Sequence, residues 1–114
     1  LFTAQLHCAG PIPKELGALP KLETLWLSNS QLSGAIPPDL GNLAALQALR
    51  LGWNQLSGHI PPQLGDLSAS RHLYLNSNKL DGTIPKELGK LTALQRLSLF
   101  KNQLSGEYWT CAES

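Results

Sequence analysis

The chain has 114 residues, 42% of them apolar, and its 9 basic and 8 acidic side chains give a formal charge of +1. That is the composition of one folded domain, and so even a balance gives no pull toward nucleic acid or an anionic membrane. No apolar run approaches the roughly 20 residues that cross a bilayer, so membrane insertion of this segment is not expected, and a start at Leu1 without any methionine suggests a product processed or cut from something longer.

Taken in chain order, the elements repeat. A degenerate first unit, LFTAQLHCAGPIPKELGAL, occupies 1–19. LETLWLSNSQLSGAIPPDLGNL (22–43), LQALRLGWNQLSGHIPPQLGDL (46–67) and SRHLYLNSNKLDGTIPKELGKL (70–91) follow with a shift of 24, and LQRLSLFKNQLSGEYWTCAES (94–114) begins another copy. A single domain over 1–114 is therefore expected, in five coils at 1–21, 22–45, 46–69, 70–93 and 94–114. In each unit LxL has period two, which predicts a short strand with its leucines inward. The Asn at 54, 78 and 102 can bond the backbone of its own and neighbouring coils, forming a ladder. SGxIP then turns the chain, Gly supplying dihedrals that other residues resist and Pro barring a regular helix. One coil cannot bury its leucines alone, so coils must stack, and a solenoid stabilised by nearest-neighbour contacts is expected.

The string LSGxIPxxLG at 32–41, 56–65 and, with substitutions, 80–89 resembles the plant-type class of leucine-rich repeats, in register across essentially the whole chain. The resemblance implies an α/β repeat solenoid: a right-handed arc with short parallel strands on the concave face, and 3₁₀ or irregular segments with some extra strand elsewhere. It also implies a binding module, such as the ligand-sensing part of a receptor-like or inhibitor-like protein, outside the cell or at its surface. The alternative is an intracellular interaction arm of a larger signalling protein such as a ROCO-type GTPase, placed in the cytoplasm. Family members displayed outside plant cells usually carry paired cysteines in their caps and often N-glycosylation sequons; this chain has neither. Cys8 and Cys111 lie four coils apart, roughly 19 Å at about 4.8 Å per strand, beyond the ~7 Å reach of a disulfide.

Departures from the pattern carry their own expectations. Ser30 and Leu6 replace the ladder Asn and should weaken it locally. Ser70 replaces the first leucine of its repeat and should leave a polar group or small void under the sheet. Tyr108 and Trp109 stand where Ile and Pro should be, and are expected to close the C-terminal end as a cap. Cys8 falls in a leucine column and reads as a small core hydrophobe. Nine of the ten glycines mark two repeating turns. Gly52 alone lies outside them, at an outward strand position where it either clears room for a ligand or is simply tolerated. His7, His59 and His72 form no constellation, so no metal, cofactor or catalytic site is expected, and a binding scaffold is expected rather than an enzyme.

The columns facing out of the strands read Phe2, Trp26, Arg50, Tyr74, Ser98; then Ala4, Ser28, Gly52, Asn76, Phe100; then Gln5, Asn29, Trp53, Ser77, Lys101; with Thr24, Ala48, His72, Arg96 ahead of them. Five of the seven aromatics are there, together with four basic residues and no carboxylate. Aromatics displayed on a surface are costly unless covered, and Trp, Tyr and Arg dominate binding hot spots. Trp26, Arg50, Trp53, Tyr74, His72, Arg96, Phe100 and Lys101 are therefore the candidate ligand-binding residues. The expected partner is a protein or peptide with apolar and acidic or sulfated groups, or an anionic glycan. Nucleic acid is not expected, since four scattered basic residues give little phosphate affinity. The competing reading is that the aromatics pack across coils and only stabilise the sheet. An unpaired edge at Leu1 to Thr3 adds the expectation of end-to-end self-association.

Overall fold

The computed structural model describes residues 9–105 and, by backbone alone, residues 3–5. Five three-residue strands, β1 (Thr3–Gln5), β2 (Thr24–Trp26), β4 (Ala48–Arg50), β6 (His72–Tyr74) and β8 (Arg96–Ser98), pair in parallel in that order. The register puts Leu25, Leu49, Leu73 and Leu97 in one row and Trp26, Arg50, Tyr74 and Ser98 in the next. Alternation sends each row to opposite faces. All four leucines are buried, and so are Leu27, Leu51, Leu75 and Leu99 two positions on. With Leu32, Leu56, Ile36 and Ile60 from the returning segments they form one continuous core. Each fully buried leucine contributes about 1.5–3 kcal/mol, which no single coil could collect by itself.

The return path is made of 3₁₀ turns, η1 (Lys14–Ala18), η2 (Pro38–Asn42), η3 (Pro62–Asp66) and η4 (Lys86–Lys90). Pro37, Pro61 and Pro85 hold extended backbone ahead of the last three, so each helix can start only after the proline. Glycine decides how closely these turns stack. A Cβ at Gly41 would run into the carbonyl of Gln63 in the next coil, and one at Gly65 into that of Glu87.

The SGxI segments do more than turn the chain. They form a second parallel sheet, β3 (Ser33–Gly34), β5 (Gln55–His59), β7 (Lys79–Thr83) and β9 (Gln103–Ser105). Stacking lays each segment beside its copy, and their amides and carbonyls satisfy one another. Gly34, Gly58 and Gly82 take φ of 78, 81 and 75° within it, which kinks the strand without breaking the pairing.

Between the two sheets runs the asparagine ladder. Asn54 Oδ1 accepts from the Ser30 and Leu32 amides at 2.9 and 3.0 Å, while its Nδ2 donates to the Leu27 and Leu51 carbonyls, both at 2.9 Å. Asn78 accepts from Leu56 N–H and donates to Leu51 and Leu75, and Asn102 accepts from Leu80 and donates to Leu75 and Leu99. Where Ser30 replaces asparagine, its hydroxyl donates to Ser28 O of its own coil at 3.1 Å. Asn29 and Gln31 on either side both turn left-handed there. Ser70 is fully buried and its hydroxyl has no hydrogen-bond partner, as its place in a leucine column predicts. The expectations for Phe2, Leu6, His7, Cys8, Tyr108, Trp109 and Cys111, and for the edge at Leu1, lie outside the described residues.

Candidate functional site on the outward face of the first sheet

Parallel register stacks one coil's outward residue beside the next, so cations and rings from different coils meet. Arg50, on β4, has Trp26 on β2 to one side and Tyr74 on β6 to the other. Its Cζ is 5.2 Å from the Trp26 ring centroid and 5.0 Å from that of Tyr74, within cation–π range of both. A guanidinium held between two rings keeps its N–H edge for an incoming acceptor and has little rotamer freedom left to lose. Tyr74 also stacks with His72 from its own strand, the centroids 6.0 Å apart and the planes 8° from parallel. His72 is half-buried, and its Nδ1 is buried without a hydrogen-bond partner. Arg96, exposed on β8, is its register partner.

A second pair sits two columns over. Lys101 Nζ lies 5.3 Å from the centroid of Trp53, two coils away. Trp53 is 56% exposed, Trp26 43% and Phe100 41%, so the rings lie on the surface and outside the core. Phe100 faces out near the last described coil and its carbonyl accepts from Ser77 N–H at 2.8 Å. The structure thus links Trp26, Arg50, Tyr74 and His72 into one contacting group and Trp53 with Lys101 into another. Arg96 is tied to the first by register, and Phe100 stands apart.

The reading of Gly52 needs correction. It is buried, and a Cβ there would stand 2.9 Å from Oδ1 of Asn76. The space its missing side chain leaves is filled by the Asn76 carboxamide, which is itself buried and donates to Ser77 Oγ at 3.2 Å. Gly52 therefore makes room for a neighbouring coil and leaves no gap for a ligand. Asparagine at 76 was the available signal, since a polar amide beside the only non-repeating glycine needs somewhere to fold.

A groove of about 790 Å³ lies elsewhere, lined by His59, Ile60, Pro62, Thr83, Ile84 and Pro85 with Lys86 and Glu87. His59 Nδ1 meets Asp81 Oδ1 at 3.0 Å near it, but both side chains are mostly exposed, which makes the pair a surface contact of little energy. Among the described residues no cluster of His, Cys, Asp and Glu could hold a metal ion, and no helix is long and apolar enough to cross a membrane.

The stacked coils, the ladder and this face define a class of protein. The Leucine Rich Repeat family model matches residues 21–43, 45–67 and 71–91, so the chain belongs to the leucine-rich repeat family. It is a non-catalytic repeat scaffold. No curated protein matches it in sequence. Among solved structures it is similar to a chain of the BIR3–SERK2 complex from Arabidopsis thaliana, at 39% identity and a TM-score of 0.79 over 91% of this chain and 53% of that one. It is also similar to the plant peptide hormone receptor RGFR1, solved in complex with RGF2, at 42% identity and a TM-score of 0.87 over 91% of this chain and 17% of that one. A plant ice-binding protein shares 36% identity at a TM-score of 0.81, over 91% of this chain and 34% of that chain. The chain thus spans about half of the first of these and less of the others.

Proposed function

We propose that the chain is a protein-binding leucine-rich repeat module whose outward sheet face, aromatic and mildly basic, receives an acidic peptide or protein segment. The carrying observation is Arg50, set between Trp26 and Tyr74, with no hydrogen bond to its N–H edge among the described residues. Carboxylate and sulfate groups match that edge in bidentate geometry, and the two rings give an apolar stretch of ligand something to cover. Two similar structures are receptor complexes, the plant peptide hormone receptor RGFR1 with RGF2 and the receptor kinase HAESA with the peptide hormone IDA and the co-receptor SERK1. Their ligands are their own, but the likeness supports a protein or peptide partner over a glycan.

The test is a screen of acidic, tyrosine-sulfated and neutral peptides, with an anionic glycan set, against the wild type and Arg50→Ala. A hit should lose about tenfold or more in affinity in the variant, the size of a hot-spot truncation, and weaken with added salt. Equal binding by both proteins would sink the reading. Unfolding of Arg50→Ala at much lower urea, with no ligand found for either protein, would return these side chains to sheet packing alone.

An ice-binding reading is raised by the third structural likeness. The face gives it less support, because Thr24, Ala48, His72 and Arg96 change chemical type at every coil instead of repeating one group. Thermal hysteresis by the wild type would favour it.

A further inference from the structure

Four residues of one outward column, Asn29, Trp53, Ser77 and Lys101, have φ of 56, 58, 61 and 56°. Each precedes the ladder position, so the coil itself demands a left-handed residue there. Asparagine occupies that region readily, and a bulky side chain does so only against steric resistance. Trp53 and Lys101 carry the longest side chains of the four, and they are also the two that touch, across the short side chain of Ser77. The core gains nothing from the contact, since both side chains are exposed. Strain held at an exposed aromatic and cation, where asparagine would relieve it, is the mark of a residue kept for what it binds.

We infer that Trp53 and Lys101 are specificity-determining residues of the outward face, held in strained backbone at the expense of stability. They form a second ring-backed cation besides Arg50, so that the face selects an extended peptide with several carboxylates over one with a single charge. The inference rests on the reading of Arg50 above and names the ligand class of that same site.

The experiment uses two labelled probes, decaglutamate and a decaglutamine peptide with one central glutamate, titrated against the wild type, Trp53→Asn, Lys101→Asn and Arg50→Ala, with a melting curve for each. Both asparagine variants should melt higher, by about 3 °C. Both should bind decaglutamate about tenfold more weakly and lose most of the preference for it over the single-glutamate peptide. Trp53→Asn removes no charge, so its loss of affinity cannot be bulk electrostatics. A Tm that fails to rise in Trp53→Asn, or decaglutamate affinity unchanged there while Arg50→Ala loses it, overturns the inference and leaves the Arg50 reading standing. A wild type that binds neither probe, or an Arg50→Ala that binds both normally, removes the underlying reading and this inference with it.

Discussion

Asn78 shows how much one side chain carries in this fold. It accepts from Leu56 N–H and donates to the carbonyls of Leu51 and Leu75 while 8% exposed. Asn78→Ala would strand buried backbone groups in two coils, and a loss of about 2–4 kcal/mol in urea unfolding is expected. Asn102 makes the equivalent bonds where it is only half-buried, so water can replace some of them, and its alanine variant should lose less. Ser70 has the opposite sign. Its buried hydroxyl has no partner, so Ser70→Ala should raise the urea midpoint, by about 1 kcal/mol in stability, without changing the slope. Asn78 and Ser70 were both legible in the sequence, because each is a polar residue at a fixed place in a leucine pattern. The left-handed backbone of Trp53 was not, although Asn29 in the same column pointed toward it.

At the scale of elements, the spacing between coils is set by the 3₁₀ turns as much as by the strands. Gly65 on η3 faces the Glu87 carbonyl on η4 with no room for a methyl group. Gly65→Ala must push the coils apart or bend one of them, and a loss of about 1–3 kcal/mol is expected from a urea titration. The first sheet could be read from LxL because period two with buried leucines has one structural solution. The second sheet is foreshadowed only by the extra strand that the family resemblance implies, since Ser-Gly before Ile-Pro by itself carries turn chemistry. Only stacking turns it into β3, β5, β7 and β9, by placing four equivalent segments side by side with amides to satisfy.

For the whole molecule, stability is a chain of nearest-neighbour terms, so opening should begin at the ends. Hydrogen exchange should accordingly be slowest at the Leu51 and Leu75 amides. They donate to Tyr74 O and Ser98 O at 2.8 and 2.9 Å in the middle of the stack, and exchange there should require opening on both sides. Faster exchange at Leu51 than at residues of β9 would contradict a nearest-neighbour solenoid. The sequence by itself determined the coil, its period, the buried leucines and the ladder, because a 24-residue repeat makes each coil's environment a copy of the last. What tertiary structure alone decided is which outward residues meet. Arg50 between Trp26 and Tyr74, Lys101 reaching Trp53 over Ser77, and Asn76 folding onto Gly52 all join residues of different coils. Such contacts depend on inter-coil register and on side-chain reach, and a pattern read within one repeat contains neither.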